Sequence, residues 1–99
     1  MSIDAIRARL LPKFIVSATA RIAKAQAAVV EGKPAVIRDE MHAITGDASM
    51  IGQPAIAEAA RTASGHAKAW EAGDAAARAT CEAALAVLSD RLAALAAPG

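Results

Sequence analysis

In GKPAVIRDEMHAITGDASMIGQP, residues 32–54, the same punctuation stands at both ends: Gly32-Lys33-Pro34 and Gly52-Gln53-Pro54. Glycine closes a helix because it enters the left-handed conformation without a Cβ penalty. Proline opens the next one because its missing N–H falls in the first turn, where amides lack an intrahelical partner. Between the two marks, Ile37, Met41, Ile44, Ala48 and Ile51 recur at alternating spacings of three and four residues. That period gathers them on one helix face. The stretch therefore predicts a helix over roughly 34–51 with a single buried stripe, joined to its neighbours by very short turns.

The rest of the chain reads the same way. Pro12 and Gly73-Asp74, with aspartate as N-cap, supply the remaining stop and start signals, giving helical segments of roughly 12–31, 34–51, 54–72 and 74–97. Their stripes are Ile15, Ala18, Ile22, Ala25 and Val29 in the first and Ile56, Ala60, Ala63, Ala67 and Trp70 in the third. The fourth carries Ala77, Cys81, Leu85, Leu88, Leu92 and Leu95. A short leading helix begun by Ser2, presenting Ile3, Ile6 and Leu10, is expected to lie across one end. Connections this short force neighbouring helices antiparallel. The expected fold is all-α, an up-down-up-down antiparallel four-helix bundle with a short N-terminal capping helix, in one domain over 1–99. Phe14 should fill the end near the Gly52 turn, and Trp70 the end near Gly32 and Gly73.

Composition agrees with that architecture. Hydrophobic residues make up 56% of the chain but aromatic ones only 2%, and alanine fills the difference. Alanine has the best helix propensity and lets helices approach closely. Charged residues interrupt every apolar run well short of the roughly 20 residues a membrane-spanning helix needs. The opening MSIDAIRARLLPKF carries acidic and basic side chains where a signal peptide would have an apolar core. A formal net charge of +1 gives no electrostatic reason to expect nucleic acid or an acidic membrane as partner. The single cysteine, Cys81, excludes an intrachain disulfide and reads as a buried thiol on the core stripe. We expect a cytoplasmic protein, and a monomer, since the stripes leave no broad apolar face beyond the core.

One polar residue falls outside this economy of stripes. His42 lies about 140° around the helix from the centre of the stripe through Ile37, Met41 and Ile44, so it faces water. Arg38 lies one turn before it, Thr45 and Gly46 one turn after. Glycine inside a helix costs about 1 kcal/mol relative to alanine. In a chain that uses alanine almost everywhere else, Gly46 calls for a steric reason. Loss of the Cβ beside an exposed imidazole leaves room for a phosphoryl group and for a partner's active-site loop. A neutral imidazole is a good nucleophile near pH 7, with one ring nitrogen free while the other keeps its proton. Phosphoryl transfer needs in-line access and charge stabilisation, which suits a partner bringing its own metal and acidic acceptor.

The run His42-Ala43-Ile44-Thr45-Gly46-Asp47-Ala48-Ser49-Met50-Ile51-Gly52 resembles the signature of histidine-containing phosphotransfer (HPt) domains. That signature runs histidine, any residue, leucine or isoleucine, usually lysine, glycine, then small residues ending in an apolar residue and glycine. His42, Ile44, Gly46, Ile51 and Gly52 match at the same spacing, and the flanking helices extend the resemblance over almost the whole chain. It implies that His42 is the phosphoacceptor, exchanging phosphoryl with the aspartate of a response-regulator receiver domain, with a sensor histidine kinase upstream. Magnesium is expected on the receiver, and no cofactor on this chain. Arg38, Thr45, Gly46 and Ser49 would form the phosphoryl environment and docking surface. Thr45 stands where the family usually has lysine, and a hydroxyl offers only a neutral hydrogen bond. Arg38, or Arg21 on the preceding helix, would then supply the charge.

The remaining polar residues carry less. His66 flanks the stripe of its helix, and neither histidine has the carboxylates or E-x-x-H pattern of a bundle metal site, so no metal is expected. Lys13, Lys24, Arg61, Lys68, Arg78 and Glu82 read as a solvated rim. No nucleotide-binding glycine loop or Walker lysine is present, so no ATP-dependent kinase activity of its own is expected. The alternative reading is an HPt-like adaptor bundle that docks a receiver without accepting phosphoryl.

Overall fold

The computed structural model describes residues 2–97; Met1, Pro98 and Gly99, the ends of the expected domain, lie outside them. It consists of α1 (Ile3–Glu31), α2 (Pro34–Met50), α3 (Pro54–Glu71) and α4 (Ala77–Ala96), with no strand among the described residues. The two Gly-x-Pro marks act as their chemistry requires. Pro34 and Pro54 sit in the first turns of α2 and α3. Gly32, at φ 71°, closes α1, and the following amide of Lys33 reaches back to the Ala28 carbonyl at 2.9 Å. Gly52 has φ 76°, and a Cβ there would also stand 3.1 Å from the Arg7 guanidinium. Glycine suits that position best, since it takes the left-handed conformation at no steric cost.

Two boundaries differ from the sequence reading. The leading segment is not a separate capping helix: α1 runs unbroken from Ile3, with Pro12 inside it. Ser2 caps it as expected, accepting from the Ala5 amide at 3.1 Å. Pro12 is exposed, so the Ala8 carbonyl that loses its donor can be hydrated, and the proline does not end the helix. Ile3, Ile6 and Leu10 consequently lie along α1 and remain 65%, 42% and 38% exposed. At the other end α4 begins at Ala77, not residue 74. Asp74 instead accepts from the Ala76 amide at 3.1 Å, an aspartate turn that delays the helix.

The helices pack as a closed ring, α1 on α2, α2 on α3, α3 on α4 and α4 on α1, and among the described residues no backbones approach closely across a diagonal. The stripes form the core. Ile37, Met41, Ile44, Leu85 and Leu88 are its largest fully enclosed side chains, and alanines fill the spaces between. Only Ile15, Trp70 and Leu95 among the predicted stripe residues are partly exposed. Phe14 is buried beside Met50 and Ile51, next to the Gly52 turn. Trp70, at the opposite end, lies 5.3 Å under the Arg78 guanidinium. Arg78 is exposed, as expected of a rim residue, yet it is well partnered. It also donates to the Val29 and Val30 carbonyls at 2.7 and 3.2 Å, which ties the start of α4 to the end of α1.

Cross-helix bonds give the register. Arg7 meets the Met50 carbonyl at 3.4 Å, while Arg21, about four turns on, meets Glu40 at 3.0 Å. Arg91 reaches Ala55 at 3.3 Å, and Cys81 reaches Ala63 at 3.7 Å. Glu40 is the only buried charged residue among those described, and both Arg21 and Lys24 of α1 pair with it, at 3.0 and 3.3 Å. This cluster ties the α1 flank of α2.

Candidate functional site

The stripe that buries α2 divides its remaining surface into two flanks. Glu40 and Asp47 lie on the flank toward α1, where Asp47 shares a hollow with Lys13 and Phe14. The other flank faces α3. There His42, exposed, lines a shallow cleft with Arg38 and Asp39 from α2 and Ser64 and Lys68 from α3. Ser64 and Lys68 are one turn apart on α3, and Arg38 and His42 are one turn apart on α2, so the cleft is two helical rungs facing each other.

The residues singled out by the sequence separate into three groups here. His42 and Arg38 share the cleft. Arg38 is not idle in it: its Nη1 donates to the Glu71 carboxylate at the end of α3, at 2.7 Å. Thr45 and Ser49 follow His42 by one and two turns on the same flank. The Thr45 hydroxyl donates to the Met41 carbonyl at 2.7 Å, so it is already committed to its own helix. Gly46 is exposed, and a Cβ at that position would meet nothing within 4 Å. Internal packing therefore does not demand the glycine.

Arg21 belongs to the opposite flank. It is at about the right height on α1, but it points to Glu40 and does not line the His42 cleft. Lys68 takes the place that Arg21 does not. By charge alone it reads as part of the solvated rim, yet it lines the cleft and has no ion-pair partner among the described residues. A signal for it exists in the spacing: Ala57, Arg61, Ser64 and Lys68 share the face of α3 next to the Ile56–Ala60–Ala63–Ala67 stripe. Choosing that face requires knowing which side of α3 meets α2. Gly65 is a second helix-interior glycine, exposed on α3 beside Ser64, and a Cβ on it would likewise find no atom within 4 Å.

Chemically, the cleft offers an accessible imidazole, one free ammonium and a guanidinium held by a weak, half-exposed carboxylate. It is too open to exclude water, so it suits a group delivered and removed by a macromolecule. His66 is half-buried and not part of it. Cys81 is fully buried, and burial pushes its thiol pKa above the ordinary value. Among the described residues no three of His, Cys, Asp and Glu gather as a metal site, and no helix is long and apolar enough to cross a membrane.

A family model described as Hpt domain matches residues 9–98, so the chain belongs to that family, whose members take part in histidine phosphotransfer. No curated protein and no solved structure gave a significant match.

Proposed function

We propose that this Hpt-domain chain carries a phosphoryl group on His42 between a sensor histidine kinase and the aspartate of a response-regulator receiver domain. The observation that carries the reading is the α2–α3 cleft, where an exposed histidine stands beside the free Lys68 and the half-exposed Arg38, with the Cβ-free Gly46 one turn on. In the exchange with a receiver, the unprotonated ring nitrogen of His42 attacks phosphorus in line, and the N–P bond forms as the P–O bond of the aspartyl phosphate breaks. The carboxylate leaves with the electron pair, and the other ring nitrogen keeps its proton. Lys68 and Arg38 supply positive charge to the transferred group, the part that a lysine after the histidine plays in the family signature. Magnesium belongs to the receiver, and the chain itself needs no cofactor. An up-down-up-down bundle, working as a cytoplasmic monomer in one domain over 1–99, completes the reading. The cross-helix register and the enclosed stripes support the up-down-up-down bundle in that reading.

One observation favours the adaptor reading: Thr45 replaces the usual lysine and turns its hydroxyl to the Met41 carbonyl. Incubation with a phosphorylated receiver and magnesium separates the two. Transfer predicts an acid-labile, alkali-stable phosphoryl group on this chain, absent from His42→Gln and not formed with ATP alone. Stable receiver binding without label on the chain would establish the adaptor instead.

A further inference from the structure

The Arg38–Glu71 pair is the only polar link among the described residues that runs from the His42 cleft to the end of α3. Its geometry is good, 2.7 Å from Nη1 to Oε1, but both side chains are over a third exposed, at 39% and 37%. Such a pair is strong enough to position a guanidinium and weak enough to be exchanged. Arg38 and His42 stand one turn apart on α2, about 5–6 Å between Cβ atoms. A phosphoryl group on the exposed His42 ring therefore comes within reach of the same guanidinium. A carboxylate carries one negative charge, and a phosphoryl group at neutral pH carries about 1.5 to 2. Both match the planar donor fork of arginine. Lys68, with no ion-pair partner among the described residues, is available in either state; Arg38 has two competing ones.

We propose that Glu71 is a positioning residue of the transfer reaction: it holds Arg38 while His42 is bare and yields it to the phosphoryl group once His42 is modified. Glu71 thereby sets how firmly the protein retains phosphoryl. It lowers retention by the work of breaking its own pair, so the group passes to a receiver more readily than the cations of the cleft alone would allow. This rests on His42 as the phosphoacceptor. Asp39, also in the cleft, adds repulsion that acts through space and involves no exchange of partners.

The test separates exchange from repulsion and from the acceptor role itself. Phosphoramidate phosphorylates the purified full chain without any protein partner: the His42 ring nitrogen attacks phosphorus, the P–N bond breaks, and ammonia leaves with the electron pair. The Arg38 side-chain resonances should then move in the wild type, and Glu71→Gln should alter them before phosphorylation. With a phosphorylated receiver, Glu71→Gln should shift the equilibrium toward phospho-His42 by about two- to fivefold, the range an exposed ion pair supplies. Arg38→Ala should shift it the other way, and adding Glu71→Gln in that background should change nothing further. Unmoved Arg38 resonances, an unchanged equilibrium in Glu71→Gln, or a shift that persists without Arg38 would each overturn the proposal. If phosphoramidate labels His42 but no phosphorylated receiver does, the relay reading fails, and the Arg38 resonances alone decide the exchange.

Discussion

Gly46 is the residue whose cost is easiest to see and whose reason lies outside the fold. Open space surrounds the position a Cβ would take, and the backbone there is ordinary helix. Gly46→Ala should accordingly raise stability by up to about 1 kcal/mol, readable as a higher denaturation midpoint with an unchanged slope. Gly46→Leu should fold as well and yet block phosphoryl exchange, because its side chain would project beside His42 into the space a partner's loop needs. Normal exchange by the leucine variant would place the docking face elsewhere. His42 and Gly46 are legible in the sequence because exposure follows from helical angle alone. Lys68 and Glu71 are not, because a charge on α3 acquires meaning only when the neighbouring helix and its facing flank are known. Arg21 shows the same limit from the other side, since height along the bundle places it near His42 while the flank assigns it to Glu40.

At the scale of elements, the sequence is legible where a glycine stop is followed by a proline start, and less so elsewhere. Gly32 with Pro34, and Gly52 with Pro54, mark real turns. Pro12 has no glycine before it, and α1 passes through it over 29 residues. Strong helix formers surround the proline, Ser2 caps the start, and the lost hydrogen bond faces water. Restoring the donor tests this account. Pro12→Ala should lengthen nothing and stabilise α1, by up to the roughly 3 kcal/mol that proline costs inside a helix. Hydration of the Ala8 carbonyl should keep the gain below that figure. Amide exchange in the other residues of that turn, 8–11, should slow in step. Loss of stability would mean that the ring itself packs against something in the native protein. Asp74 fails as an N-cap for a related reason, since a side chain able to cap a helix is equally able to close a turn before it.

Across the whole molecule, the four stripes of small and aliphatic residues predict most of the core, missing the buried Ala28, Ala57 and Ala59 beside them, and Cys81 offers a way to read how that core comes apart. Its side chain has no accessible surface, and its Sγ lies 3.7 Å from the Ala63 carbonyl across the α3–α4 seam. A reagent for thiols can reach it only when those helices separate. Labelling should therefore proceed at the rate, and with the denaturant dependence, of global unfolding, and not as a local fluctuation. The thiol also links stability to pH. Burial raises its pKa in the folded state because the thiolate would be desolvated. At neutral pH the thiol is protonated in both states and contributes no pH dependence. As pH rises through the ordinary thiol value, the unfolded chain loses this proton first, so it binds fewer protons than the native one and stability declines until the folded thiol titrates as well. Cys81→Ala should abolish that alkaline decline while costing some packing at every pH. Stability curves of the two proteins, measured from neutral pH upward, should therefore converge. Parallel curves would mean that another group governs alkaline unfolding, and labelling faster than global unfolding would mean that the α3–α4 seam opens independently.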